Sequence, residues 1–192
     1  MKRLGITGGI GSGKSVVSDL FNLMGVPVYN ADAESKRIVN EDTEVRTGLI
    51  SLFGSAIYGA DGRLDKQLLA GHIFTSKKYL LQVNGIIHPA VSRDFLAWSN
   101  LQTTSMVAIE SAILFDSGFD RLVDVTINVS APADQCLHRV MLRDGLSRQQ
   151  ICNRMDNQMT DIQRNSLADY SILNDGIHPL IPQVNHILNL LK

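Results

Sequence analysis

The chain has 192 residues, of which 44% are hydrophobic and 19% charged, and its formal net charge is -1. This length suits one well-cored domain with an insertion, and the near-neutral charge argues against nucleic acid or an anionic membrane as a partner. The two cysteines lack the spacing of a disulfide or metal motif, and no apolar run suits a signal peptide or membrane span, so we expect a cytoplasmic protein.

The first predicted elements are a strand over residues 4–7, a glycine-rich turn over 8–15 and a helix. The turn reads Gly-Gly-Ile-Gly-Ser-Gly-Lys-Ser, the pattern of a phosphate-binding P-loop in its required strand-to-helix setting. Its N–H groups and the helix dipole attract phosphate, while Lys14 is expected to reach the β- and γ-phosphates and Ser15 to ligate Mg²⁺. The predicted nucleotide-binding residues here are Gly9, Gly11, Ser12, Gly13, Lys14, Ser15 and Val16.

A second strand, predicted over residues 26–29, ends in Asn30-Ala31-Asp32. In open α/β sheets, ligands bind at the carboxyl ends of the strands, so Asp32 is placed to take the proton of an acceptor hydroxyl during phosphoryl transfer. An aspartate directly before a helix, predicted here over 33–39, is equally typical of a helix N-cap. Both interpretations of Asp32 stay open.

A long helical stretch follows, with predicted helices over residues 66–74, 79–87 and 89–98. A helical run of this length between two strands is typical of an inserted subdomain, and we predict a substrate-binding insertion over residues 32–100. His88, just before the predicted helix start at Pro89, is either a structural histidine or a contact to a substrate phosphate.

Apolar runs over residues 106–109, 123–129 and 170–173 predict three further strands. Glu110, after the first of them, has the form of a Walker B carboxylate that holds a Mg²⁺-bound water, although it or the nearby Asp116 could equally serve a structural role. A terminal amphipathic helix is predicted over 180–191.

A helix that begins near Pro132 carries Arg139 and Arg143, which are four residues apart and share a face. Two arginines before a polar, glycine-marked segment suit a lid that closes over ATP. One would stack on the adenine and the other would neutralise the transferring phosphate. The alternative is a solvated basic face. Ser147 and Gln150 have the spacing of a capping box that starts a further helix.

These elements predict a three-layer α/β/α P-loop NTPase fold around a five-stranded, mostly parallel sheet. The core is expected over residues 1–31, 101–141 and 166–192, the helical insertion over 32–100, and a lid over 142–165.

Six stretches occur in the order seen in the dephospho-CoA kinases, which the chain resembles over nearly its whole length. They lie at residues 7–15, 30–32, 87–89, 113–116, 139–145 and 168–176. The resemblance implies transfer of the ATP γ-phosphate to the ribose 3′-hydroxyl of dephospho-CoA, the last step of coenzyme A synthesis, with Mg²⁺. It also implies Asp32 as the base, Arg139 at the lid, His88 at the substrate and Asn174 at the nucleotide.

The chain departs from the family pattern at three places. Asn30 stands where aspartate is usual, Asp116 ends a motif that usually ends in glutamate and begins here with Ala112 instead of proline, and Ser92 stands where arginine is common.

Two other functions stay open. A nucleoside monophosphate kinase would need an arginine-rich site for the phosphate of its acceptor. The insertion has only scattered basic residues, namely Lys36, Arg37, Arg46, Arg63 and Arg93. A regulatory ATPase switch would need γ-phosphate-sensing loops, and no such signature stands out. The sequence does not indicate the oligomeric state.

Overall fold

The structure, a computed structural model, describes all residues from 1 to 192. Its elements in chain order are β1 (Lys2–Thr7), α1 (Lys14–Leu23), β2 (Val28–Asn30), α2 (Ala31–Glu41), α3 (Thr43–Phe53), α4 (Lys66–Thr75), α5 (Lys77–Asn100), β3 (Met106–Glu110), β4 (Val125–Ser130), α6 (Ala133–Asp144), α7 (Arg148–Asp156), α8 (Asp161–Leu167), β5 (Tyr170–Leu173) and α9 (Leu180–Leu190). Short 3₁₀ turns lie at Ser55–Ile57 and Phe119–Leu122. No helix combines the length and apolar character that crossing a membrane requires.

The five strands form a single sheet in the order β2-β3-β1-β4-β5, and every neighbouring pair is parallel. All five residues of β3 are buried, as expected for a strand that is covered on both faces. The predicted three-layer α/β fold with five strands is therefore confirmed, and the sheet is wholly parallel.

The chain divides into two compact units, one formed by Met1–Asn30 with Gln102–Lys192 and the other by Ala31–Leu101. In the first unit the core joins β1 and β4 to α1 and α9, with Phe21 and Val184 fully buried. The sheet register pairs Ile6 with Glu110 and Thr7 with Asn128. The carboxyl ends of β1, β3 and β4 therefore meet at one edge of the sheet, and the P-loop leaves from the middle of that edge.

The second unit contains α2 to α5, and short polar side chains define where its helices begin. Asp42 caps α3, Asp65 caps α4 and Ser76 caps α5, each by accepting a backbone N–H. The Tyr58 hydroxyl donates to the carbonyl of Val39 and thereby fixes the turn after α3 against α2.

One helix prediction in this unit is wrong, because α5 runs unbroken from Lys77 to Asn100 with Pro89 inside it. A proline removes only one hydrogen bond of the helix, here the one to the carbonyl of Gly85. Val83 and Phe95 are buried on either side of the proline, and tertiary packing of this kind keeps a helix intact across a single missing bond.

A second correction concerns α2, which begins at Ala31 and not at residue 33. Asp32 consequently lies inside the first helical turn, and its carboxylate accepts no backbone N–H. The N-cap interpretation of Asp32 is wrong.

Capping residues mark three helix boundaries after β4, namely the end of α6 and the starts of α7 and α8. Gly145 ends α6 with φ of 64°, and the predicted capping box of Ser147 and Gln150 is present at the start of α7. The sequence reading missed α8, although Thr160 and Gln163 form the same kind of capping box at its start.

Candidate active site

The P-loop is held in shape by close contacts that leave no room for side chains. Gly13 has φ of 87° and precedes α1, and a Cβ at this position would lie 2.1 Å from Nδ2 of Asn174. The Asn174 amide donates to the carbonyl of Ser12 at 2.8 Å. The left-handed backbone and the neighbouring amide each require glycine here, and together they fix the conformation of the loop where α1 begins.

Arg139 of α6 lies against the same loop. Its Nη1 donates to the carbonyls of Gly11 at 3.4 Å and Ser12 at 3.5 Å, and its Nη2 donates to the carbonyl of Asn174 at 3.0 Å and to Gln135 at 3.1 Å. These bonds anchor one end of the guanidinium to the P-loop and the other to the loop after β5.

Arg139, Arg143 and the P-loop line one pocket of about 260 Å³, which we call the phosphate pocket. Its lining residues are Gly9, Gly11, Gly13, Lys14, Ser15, Val16, Arg139, Val140 and Arg143. Arg143 is 65% exposed and pairs with Asp144 at 2.7 Å, and this pairing raises the pKa of Arg143 and lowers that of Asp144. The predicted shared face of Arg139 and Arg143 is thus observed.

Glu110 brings a buried carboxylate to the start of α1. Its Oε1 lies 3.3 Å from the Ser15 hydroxyl, which donates to it, and 3.6 Å from Nζ of Lys14. The side chain is only 5% exposed. A carboxylate beside a P-loop hydroxyl supplies the hard oxygen ligands that Mg²⁺ prefers, and these residues fit such an ion.

Asn30 completes this cluster, since its Nδ2 donates to Oε2 of Glu110 at 3.4 Å. An aspartate at position 30, as is usual in the family pattern, would put a second carboxylate against Glu110. The amide instead gives Glu110 a donor.

Asp116, by contrast, is exposed and forms no hydrogen bond or ion pair.

The remaining predicted site residues belong to the unit of Ala31–Leu101. Asp32 is exposed, and its carboxylate has no hydrogen bond or ion pair. His88 lies partly buried in α5, and burial lowers its pKa, so its imidazole is neutral at pH 7.

Sequence reasoning missed two residues that contact the P-loop from its other side. The backbone N–H of Ile10 donates to Oε1 of Gln158 at 3.0 Å. Arg164, only 5% exposed, donates to Asp161 and to the carbonyl of Met159, and a Cβ on Gly9 would lie 2.6 Å from its Nη2. The capping box of α8 marked the helix that carries Arg164, but no local pattern indicates a buried arginine.

Arg139 also lines a second pocket, of about 460 Å³, which we call the Asp175 pocket. Its other lining residues are Asp134, Gln135, His138, Asp175 and Gly176. The backbone N–H groups of His178 and Ile177 donate to Asp175, and they lower its pKa to about 2.

The basic residues of the insertion are less scattered than their sequence positions predict. Lys36, Arg37 and Arg63 line one pocket together with Lys66. Of the five basic residues named from the sequence, only Arg46 and Arg93 lie outside this pocket. Arg46 lies over the ring of Tyr58, with its guanidinium 4.1 Å from the ring centroid, and Arg93 pairs with Glu44 at 2.8 Å.

Known proteins resemble this chain along almost its full length. A family model described as dephospho-CoA kinase matches residues 3–179. The chain is 45% identical over 190 residues to the dephospho-CoA kinase of Bacteroides fragilis, and the match covers 98% of this chain and 92% of that relative. The crystal structure of TT1252 from Thermus thermophilus superposes with a TM-score of 0.87 at 31% identity, covering 100% of this chain and 98% of that one. The dephospho-CoA kinase from Campylobacter jejuni has the same fold, with a TM-score of 0.69 at 21% identity and coverage of 98% and 96%.

Proposed function

The chain belongs to the dephospho-CoA kinase family, and from this premise we infer that it transfers the γ-phosphate of ATP to the ribose 3′-hydroxyl of dephospho-CoA. The products are coenzyme A and ADP, so the reaction is the final step of coenzyme A biosynthesis. The observation that carries this inference is the phosphate pocket, where the P-loop, the cluster of Lys14, Ser15 and Glu110, and two arginines meet.

ATP fits across the two pockets that share Arg139. The triphosphate would occupy the phosphate pocket, because Lys14 and the P-loop residues that precede α1 line it. The adenine would occupy the Asp175 pocket, which Arg139 also lines, so that its guanidinium flanks the base while its bonds to the P-loop hold it in place. Asn174 is expected to support the nucleotide indirectly through the carbonyl of Ser12.

Mg²⁺ is expected at Ser15 and Glu110, whose oxygens lie 3.3 Å apart. Ser15 and Glu110 would hold this ion, and it would supply positive charge to offset the negative charge that develops during transfer. Glu110 also orients Lys14 by its ion pair, and Asn30 holds the second carboxylate oxygen, so the cluster is organised before the nucleotide arrives.

Asp32 is the proposed base. Its carboxylate is exposed and uncommitted, and it lies two residues after Asn30, the last residue of β2, whose amide contacts Glu110. It would accept the proton of the 3′-hydroxyl as the oxygen attacks phosphorus. His88 is neutral at pH 7, so a contact with the substrate would be a hydrogen bond without a formal charge.

Arg143 is proposed to neutralise the transferring phosphate, which requires that it leave Asp144 when the segment 142–165 closes as a lid. Because Arg143 is exposed and pairs only with the adjacent Asp144, breaking this ion pair would cost little free energy. A lid that excludes water favours transfer to the acceptor over hydrolysis. We also propose a cytoplasmic location, supported by the two free cysteines.

The decisive experiment measures Mg-ATP consumption with and without dephospho-CoA, and with AMP, adenosine and shikimate as rival acceptors. ADP release that requires dephospho-CoA, together with newly formed coenzyme A, is the expected result. Stimulation by AMP alone would favour the nucleoside monophosphate kinase alternative. ADP formation without any acceptor would favour the ATPase switch.

A further inference from the structure

The unit of Ala31–Leu101 contains a pocket of about 300 Å³ with an unusual charge, which we call the cationic pocket. Its lining residues are Lys36, Arg37, Asn40, Glu41, Arg63, Leu64 and Lys66. Four of these seven side chains are cationic and one is anionic, so an anion is the ligand that the pocket favours.

Three of the four cations are free to bind a ligand. The side chains of Lys36, Arg63 and Lys66 form no hydrogen bond or ion pair. Arg37 differs, because Asp94, Glu34 and Glu41 all pair with it and hold its pKa above the ordinary value. Arg37 is therefore outnumbered by its three carboxylate partners and offers no charge to a ligand, so the positive charge available in the pocket comes from the other three cations.

The loop that carries Arg63 is fixed firmly to α2. The backbone N–H of Leu64 donates to the side chain of Asn40 at 2.9 Å. Arg46 donates to the carbonyl of Gly62 at 2.7 Å and to the carbonyl of Asn40 at 3.1 Å. Arg63 is thus positioned beside Lys36 by its backbone, while its guanidinium is left uncommitted.

Lys36 connects this pocket to the proposed base. Asp32 and Lys36 are four residues apart on α2, so they lie on the same face, separated by about 6 Å along the helix axis. In dephospho-CoA the reacting 3′-oxygen and the first 5′-phosphorus are joined through five bonds across the ribose. When the 3′-hydroxyl lies at Asp32, the 5′-diphosphate can therefore reach a site one helical turn away.

From this arrangement we propose that the cationic pocket binds the 5′-diphosphate of the acceptor, with Lys36, Arg63 and Lys66 as its ligands. This assignment rests on the proposed function, because it takes the acceptor to be dephospho-CoA. It makes the pocket a specificity site that distinguishes a nucleoside 5′-diphosphate ester from a nucleoside without phosphate.

The test compares Lys36→Met, Arg63→Gln and Lys66→Met with Lys78→Met, which removes an exposed charge from the same unit outside the pocket. The KM for dephospho-CoA should rise about tenfold in each pocket variant, because each loses a charge-assisted contact, while kcat and the KM for ATP change less than about twofold. Arg63→Lys keeps the charge and should stay within about threefold of wild type. The Kd for dephospho-CoA, measured by calorimetry, should follow the KM and depend less steeply on salt in the variants.

Failures of the two proposals can be told apart. A wild-type protein that consumes no ATP with dephospho-CoA would contradict the proposed function. An active wild type, with pocket variants that match Lys78→Met in KM and Kd, would overturn only the diphosphate assignment. Thermal unfolding of each variant checks that the fold is intact, and a KM for ATP that rises as much as the KM for dephospho-CoA would also overturn it.

Discussion

The P-loop and the cationic pocket are two ways of building a phosphate site in one chain. The P-loop is built from backbone at the start of a helix, and the Asn174 amide lies so close to Gly13 that no side chain fits there. The cationic pocket uses long side chains from a helix, a loop and the start of another helix. A backbone site is rigid before its ligand arrives, so single changes should be severe, whereas a side-chain site should lose affinity in graded steps.

The largest expected effect is that of Lys14→Ala, which would lower kcat about 10³-fold. This change removes the charge nearest the transferring phosphate and leaves Glu110 without its ion-pair partner. Coupled measurement of ADP release checks it, with Lys77→Ala, an exposed lysine of α5, as the control. Near-normal turnover would show that the P-loop is not the reaction centre.

Asp32→Asn should lower kcat about 10²-fold and leave the Kd for ATP unchanged, because the amide keeps the shape of the side chain but cannot accept a proton. This variant separates the two units, since it lies in the helical one and is expected to spare nucleotide binding. Single-turnover kinetics measure the loss of turnover, and equilibrium binding measures the Kd for ATP. A weaker Kd for ATP, or activity near wild type, would contradict the assignment of Asp32 as the base.

Gly13→Ala tests the rigidity of the P-loop directly. The alanine would have to hold φ near 87° and would collide with Asn174, so we expect a loss of about 1–3 kcal/mol in the free energy of unfolding and roughly tenfold weaker ATP binding. Gly118→Ala is the matched control, because Gly118 has φ of 77° but open space around it. Equal ATP affinity in the two variants would mean that the contact with Asn174 is unimportant.

Glu110→Gln should raise the Mg²⁺ concentration needed for half-maximal activity about tenfold, because an amide is a poorer ligand for a hard cation than a carboxylate. Titration of activity with Mg²⁺ at saturating ATP and dephospho-CoA measures the shift. An unchanged Mg²⁺ requirement would remove Glu110 from the proposed metal site.

The smallest effect is expected for Asp175→Asn. The folded state lowers the pKa of Asp175 to about 2 from an ordinary 3.8, so its carboxylate contributes stability above pH 3.8 that is lost as the pH falls through about 2. The wild-type advantage in unfolding free energy should thus shrink between these two values. Denaturation curves from pH 6 to pH 2 measure the difference in unfolding free energy between wild type and variant. If this difference does not change with pH, it does not come from the charge of Asp175. The KM for ATP should rise only a few-fold.

The contrast between the two phosphate sites also explains what the sequence could predict. The P-loop pattern and the apolar runs of the strands are each formed by residues adjacent in sequence. The fold and the nucleotide-binding segment could therefore be predicted. Helix ends were readable where a capping residue stood, as at Asp65 and Ser147. The start of α2 at Ala31 was not, because Asn30 and Asp32 are both typical capping residues and the local sequence does not choose between them.

Contacts between residues that are far apart in the sequence could not be predicted. Gln158 reaches Ile10 from the segment after α7, and no local pattern marks that contact. Glu110 can be proposed from its sequence as a Walker B carboxylate, but only the sheet register shows that it contacts Ser15. Lys36 and Arg63 looked scattered because the hydrogen bonds of Asn40 and Arg46, which bring their backbones together, leave no periodic trace in sequence. The continuity of α5 through Pro89 depends on buried side chains on both sides, which a local proline signal cannot represent.

The place where the helical unit joins the sheet has an evolutionary consequence. Ala31–Leu101 connects β2 to β3, which are adjacent parallel strands, and a single crossover helix is the usual connection there. The whole unit therefore takes the topological position of one ordinary connection. A change in its length or sequence can therefore leave the order of the strands untouched, so the helical unit can vary while the P-loop and the sheet are kept.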